Sequence, residues 1–372
     1  MGSFEIDVAH THPQIFVSRD GAKQLLPVLW LRERAPSADQ IDALTQQRFI
    51  NPHELPVDLF LTRAEKTENG LMLGFSDGYE AEYTNSHLEA HLSPPPLLPE
   101  RIIWKSDIDN LPRMAWADMQ DEAGHYMALQ AYLQYGFLII TDAPTELETI
   151  HDLAGHFGFI RSTNFGTVFE VKTKPNPNDL AYKPIALGPH TDNPYREPTP
   201  GIQLLHCLIN ETSGGLSTLV DSLACVEELR RINPEGLKLL SEIPVRFSFD
   251  DPEASIKIDR PIIALDPAGE MLGLHYSPRL DWLPLMDEAT TTAYHEARQQ
   301  LSRLFTHPDY ELRFKLESGE CMMFDNNRVL HGRTAFNPNE GRRHLQGCYI
   351  DRDGPEILYR RMARDGVSLR AA

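Results

Sequence analysis

The chain has 372 residues, with 35 basic against 54 acidic side chains, a formal charge of −19, and 41% hydrophobic residues. That is ordinary for a soluble globular protein with room for one large domain and a small one. The acidic balance, unrelieved by any basic block, disfavours nucleic acid and anionic membranes, and no apolar run is long enough to span a bilayer. With no charged-then-apolar signal at the N-terminus, a cytoplasmic protein is expected.

In chain order, residues 1–92 show short strand-like runs, "QIFVS", "LPVLWL", "LMLGF" and "EAEY", with turn signals at Asp20-Gly21 and Asp77-Gly78. They read as a small β-rich N-terminal domain. "SPPPLLPE", residues 93–100, is a proline-rich linker, because consecutive prolines favour extended geometry and cannot continue a helix or central strand. Residues 101–372 alternate helices and strands irregularly. A helix is predicted around 117–134, with Met127, Ala128, Ala131 and Tyr132 on its apolar face. "GFLIITDAP" reads as a buried strand and "TELETIHDLAGHFG" as a capped helix facing inward through Ile150, Leu153 and Phe157. "GIQLLHCLI" and "STLVDS" read as strands, followed by helices near 222–232 and 235–242. "PIIALD" and "GLHYS" are further strands. A longer helix near 287–306 stacks Ala293, Ala297, Leu301 and Leu304, and "GECMMFDN" and "HLQGCYID" complete the strands. The predicted class is α+β: a double-stranded β-helix, or jelly-roll, with inserted helices. No dinucleotide fingerprint or phosphate loop is present. Cys207, Cys225, Cys321 and Cys348 form no CxxC pair and read as buried, reduced thiols.

"LGPHTDNPYREPTPG" places His190 and Asp192 on alternate residues, which point the same way in an extended segment. Taken alone, the pair also fits a polar loop. His307-Pro-Asp309 matches the same pattern, but it follows the long helix and Pro308 breaks any ligand strand, so it reads as a helix stop. His331, in "MFDNNRVLHGRTAF", supplies a second imidazole. Two imidazoles and a carboxylate on one face are the ligand set of non-haem iron oxygenases. Arg343, in "GRRHLQG", offers a guanidinium suited to a distal carboxylate. Two histidines and a carboxylate can also hold catalytic zinc, but the HExxH helix is absent and Arg343 has no role there.

"NFGTVFEV", "LAYKPIALGPHTD", "PGIQLLHCLINETSGGLSTLVD", "FDNNRVLHGRTAF" and "RRHLQGCYIDRD" together resemble the γ-butyrobetaine dioxygenase family, over nearly the whole chain. "WLRERAPSADQ" resembles the signature of that family's N-terminal module. The resemblance implies Fe(II) on His190, Asp192 and His331, with 2-oxoglutarate as co-substrate held by Arg343. Ser217 falls where the wider family often has a threonine near the co-substrate; it reads equally as a turn hydroxyl after Gly214-Gly215. The family's aromatic cage falls on Phe165, Phe169, Tyr182 and Tyr349. Such a cage suits a trimethylammonium group, which has no N–H to donate but is attracted by aromatic faces. Each aromatic alone reads as core packing.

Two departures stand out. The positions matching the module's zinc ligands are Ala35, Ser37, Gln40 and Tyr79, so no structural zinc is expected, and packing around Trp30 and Tyr79 takes its place. The substrate's anionic pole matches Asn178 or Asp179 on one side and Ser277 to Arg279 on the other, with Asn193 a further candidate. Arg279 suits a more highly charged anion than a carboxylate, though it also reads as a surface residue or the partner of Asp281. The expected activity is hydroxylation of a methylene of a short trimethylammonium acid by O₂, releasing succinate and CO₂. The phosphonate analogue 2-(trimethylammonio)ethylphosphonate and trimethyllysine are the alternative substrates. A non-catalytic betaine-binding jelly-roll is a remoter alternative. The resemblance also implies a homodimer.

Overall fold

The computed structural model describes residues 3–94, 96–172, 185–252 and 254–367. It divides into two compact units, residues 1–97 and 98–372.

The first unit holds two three-stranded antiparallel meanders. One joins Ser3–Asp7, Gln14–Arg19 and Ala22–Leu26; the other joins Leu61–Lys66, Gly70–Phe75 and Glu80–Thr84. Asp20 and Gly21 both adopt positive φ, 47° and 78°, the two-residue hairpin turn that matches the natural twist of the strands. Ile15, Val17, Leu61, Leu73 and Tyr83 close a small core. "LPVLWL" is not a strand. Leu26 ends one, and Val28–Arg32 is a short helix entered through Pro27, whose fixed φ presets the first turn. An apolar run this short carries no period that separates the two.

That helix delivers Arg32 to the middle of the cluster matched to the family's zinc ligands. The guanidinium is buried. It donates from Nε to Asp77 Oδ2 at 2.7 Å and from Nη1 to Gln40 Oε1 at 2.9 Å, and lies 4.2 Å from the Tyr79 ring centre. Ser37 Oγ hydrogen-bonds Tyr79 Oη at 2.8 Å. Three of the matched positions therefore gather around one organic cation. Trp30 and Tyr79 both pack against the core of this unit, and the guanidinium of Arg34 lies 4.1 Å from the Trp30 ring.

The second unit contains a six-stranded sheet in the order Arg113–Ala115, Phe137–Thr141, Cys321–Asp325, Ile202–Asn210, Arg343–Ile350, Val168–Lys172. A four-stranded sheet runs Leu187–His190, Val329–Arg333, Ser217–Asp221, Glu311–Phe314. All pairs are antiparallel except the first of the larger sheet. Phe137, Cys207, Met322 and Phe324 of one sheet meet Leu219, Leu312 and Val329 of the other in a shared core. The central strand Ile202–Asn210 is covered on both faces, which explains its largely apolar run, broken only by the buried Gln203 and His206 before Asn210 ends it. Residues 222–306 add three helices, Ser222–Ile232, Pro234–Glu242 and Glu288–Phe305, and the small sheet of Val245–Asp250, Ser255–Arg260 and Asp281–Trp282, around a separate core.

Two helix faces differ from expectation. Helix Glu122–Tyr135 buries Tyr126, Ala128, Leu129 and Tyr132 while Met127 is exposed; Glu288–Phe305 buries Tyr294, Ala297, Leu301 and Phe305 and exposes Ala293. In both, an aromatic one position along claimed the inward side, since it removes more apolar area from water. Helix Thr149–Gly155 begins without a side-chain cap, and "GLHYS" pairs only through Met271–Leu274. The four cysteines are buried and unpaired. Among the described residues no helix is long and apolar enough to cross a membrane.

Candidate metal centre and its cavity

Antiparallel pairing of Leu187–His190 with Val329–Arg333 puts His190 directly opposite His331. Their rings lie 4.3 Å apart. Asp192 closes the group: its Oδ1 is 3.4 Å from His190 Nε2 and its Oδ2 3.7 Å from His331 Nε2. The three ligand atoms all lie within 4.8 Å of one another, and among the described residues this is the one cluster able to hold a metal ion. His190 Nδ1 donates to Gly188 O at 2.9 Å, which orients the ring with Nε2 towards Asp192. Burial, and then the neighbouring His190, lower the His331 pKa to about 3, so its imidazole is neutral. Burial raises the Asp192 carboxyl, but His331, His190 and the Tyr349 hydroxyl outweigh it and hold Asp192 below the usual carboxylate range. Two imidazoles and one carboxylate fit a divalent iron ion.

The segment is held from behind. Thr191 N donates to Tyr276 O at 2.7 Å, and Asn326 binds the Asp192 backbone twice, accepting its N–H at 2.7 Å and donating to its carbonyl at 3.0 Å. His307 and Asp309 lie on an exposed turn after helix Glu288–Phe305, their side chains 3.7 Å apart and outside the cavity lining.

The triad opens into a cavity of about 310 Å³ between the two sheets. One end is lined by Ser217, Arg333 and Arg343. Ser217 and Arg333 are register partners. Arg343 Nε has no hydrogen-bond partner among the described residues, and burial lowers the guanidinium's pKa. Its Nη2 reaches Gly215 O only at 3.5 Å and no carboxylate faces it among the described residues, so the half-buried guanidinium has room for an anion. Phe165, Phe169 and Tyr349 line another wall, the last two with rings 5.2 Å apart. Phe169 lies across the strand from Gly347, where a Cβ would fall 2.3 Å from the Phe169 ring, so the bare backbone makes room for it. Tyr182, Asn178 and Asp179 lie outside the described residues.

Asn193, with φ at 49°, turns its amide into the cavity beside Ser277 and Arg279. Its Oδ1 accepts from Tyr195 Oη at 2.7 Å, which leaves Nδ2 as a buried donor without a partner among the described residues. Asp281 pairs with Arg298 at 3.2 Å, while Arg279 is an exposed residue, as one of its sequence readings expects, that also lines the cavity. Among the lining residues that escaped sequence reading are Tyr195, Gln203, Phe249 and Arg333. Phe249 arrives from the inserted strand Val245–Asp250, stacks on Tyr195 at 5.0 Å and meets Phe165 edge-on at 6.1 Å. No local pattern marks it. Arg333, two residues after His331 on the same strand and so on the same face, did carry a signal.

Residues 108–349 match the Taurine catabolism dioxygenase TauD, TfdA family. The γ-butyrobetaine dioxygenase of Pseudomonas sp. (strain AK-1) is 34% identical over 349 residues, covering 92% of this chain and 91% of that protein. The trimethyllysine dioxygenase of Meyerozyma guilliermondii is 28% identical over 359 residues, covering 90% and 89%. The γ-butyrobetaine dioxygenase of Homo sapiens is 26% identical over 349 residues, covering 90% of each chain.

Proposed function

Because the chain belongs to the TauD, TfdA dioxygenase family, we propose that it hydroxylates a methylene of a short trimethylammonium acid resembling γ-butyrobetaine. It is an enzyme dependent on Fe(II) and 2-oxoglutarate. The supporting observation is one cavity that joins the His-Asp-His cluster to aromatic faces, an unpaired amide donor and two arginines. Its two-sheet frame fits a double-stranded β-helix. Bound iron and 2-oxoglutarate supply the oxidising chemistry, with succinate and CO₂ as co-products.

The chain supplies geometry. His190, Asp192 and His331 hold the metal from one side and leave the other open. Arg343, with Ser217 nearby, takes the distal carboxylate of 2-oxoglutarate. Phe165, Phe169 and Tyr349 surround the substrate's cation, and Asn193 Nδ2 and Arg279 receive its anion. Holding both ends sets one methylene against the metal, so positioning does the selecting.

Phe169→Leu removes one aromatic face but keeps apolar bulk. With each cation–aromatic contact contributing about 0.5–2 kcal/mol, the KM for a trimethylammonium substrate is expected to rise roughly 2- to 30-fold. The KM for 2-oxoglutarate is unchanged. Steady-state succinate release reads both, and an equal rise in both would remove the cage assignment.

Arg279 favours a second substrate reading. A guanidinium beside Asn193 and Ser277 matches a phosphonate better than a carboxylate alone needs, which points to 2-(trimethylammonio)ethylphosphonate.

A further inference from the structure

Tyr349 makes two contacts with different chemical destinations. Its ring faces Phe169 in the cavity wall, and its hydroxyl donates to Asp192 Oδ2 at 2.7 Å. The residue is 4% exposed. Its carbonyl accepts from Arg161 N at 2.8 Å, and its strand pairs it with Gln203, so its own position is fixed.

Asn326 already holds the Asp192 backbone on both its N–H and its carbonyl. What remains free in Asp192 is side-chain rotation, χ1 and the broad, roughly two-fold χ2. The Tyr349 hydroxyl stops that rotation. It occupies Oδ2 and leaves Oδ1 directed at His190 Nε2, 3.4 Å away.

We propose that Tyr349 is a positioning residue that locks Asp192 in its metal-binding rotamer while its ring contacts the substrate's trimethylammonium group. One side chain then belongs to both the substrate subsite and the support of the iron ligand. The second half of this inference rests on the trimethylammonium reading above; the first half does not.

The two halves separate chemically. Tyr349→Phe keeps the ring and removes the hydroxyl. Phe169→Leu alters the cage and leaves the hydroxyl in place. Groups that orient a metal ligand typically change metal affinity about 10- to 100-fold when removed. Anaerobic titration of the full-length protein with Fe(II) should therefore show a Kd about 10- to 100-fold higher for Tyr349→Phe and unchanged for Phe169→Leu. In the presence of 2-oxoglutarate, the ferrous charge-transfer band of Tyr349→Phe should be shifted or broadened. An unchanged Fe(II) affinity in Tyr349→Phe would overturn the proposal, and so would an equal loss in both variants, which would mark a packing effect. His190→Ala is titrated in parallel. If it too retains full Fe(II) affinity, the metal assignment itself fails; if it loses Fe(II) while Tyr349→Phe does not, only the role of Tyr349 fails.

Discussion

His190→Ala is expected to lose the visible band formed anaerobically with Fe(II) and 2-oxoglutarate, and to release no succinate above background. The effect is this large because the site has little redundancy. The protein contributes three ligand atoms within 4.8 Å of one another, and no other cluster of metal-binding side chains exists among the described residues. Removing His190 also leaves Asp192 without the imidazole nearest its Oδ1, at 3.4 Å. The remaining pair, Asp192 and His331, stands at 3.7 Å with no third protein donor to complete a face. Chelation should reproduce the loss in the wild-type protein and be reversed by added Fe(II), whereas the variant should not recover. A His190→Ala protein with an undiminished band would place the metal elsewhere.

Arg343→Met carries the second large effect. Its guanidinium lies at the cavity end formed with Ser217 and Arg333, and its Nε is buried without a partner among the described residues. Removing one partner of a buried charge pair costs about 2–5 kcal/mol. The KM for 2-oxoglutarate should then rise by roughly 30- to several-thousand-fold. Arg343→Lys should not restore it, because an ammonium cannot reproduce a planar two-point grip on a carboxylate. Binding of a 2-oxo acid that lacks the distal carboxylate should change little, which separates loss of the clamp from damage to the fold. Equal weakening of both 2-oxo acids would contradict this role for Arg343.

The centre of the site was legible in the sequence because both histidines lie on strands, and a single cross-strand register brings His331 opposite His190. Asp192 lies just past the end of its strand, in a bend, so strand alternation does not place it; the hydrogen bonds from Asn326 do. The twin at His307 was legible too, through Pro308 and the helix before it. The supports were not. Asn326 reads as one polar residue among several in "FDNN", yet it grips both backbone groups of Asp192. Phe249 reaches the cavity from strand Val245–Asp250 of the separate three-stranded sheet, a tertiary route with no local period. "LPVLWL" was misread for a related reason: five apolar residues fit a strand and a helical turn equally, and the context that decided it lay in the placement of Arg32 between Asp77, Gln40 and Tyr79. On the long helices Ala128, Tyr132, Ala297 and Leu301 face inward as expected, while Met127 and Ala293 are exposed and the neighbouring Tyr126 and Tyr294 are buried instead.

The substrate assignment depends on two ends of one cavity acting together, and succinate release tests it most directly. Purified protein with Fe(II), 2-oxoglutarate and O₂ is assayed with γ-butyrobetaine, 2-(trimethylammonio)ethylphosphonate, trimethyllysine and the unmethylated amine of γ-butyrobetaine. A short trimethylammonium acid should raise succinate release well above background, matched by hydroxylated product, with the unmethylated amine far less effective. Equal stimulation by the amine, or stimulation by none of the trimethylated compounds, would contradict it.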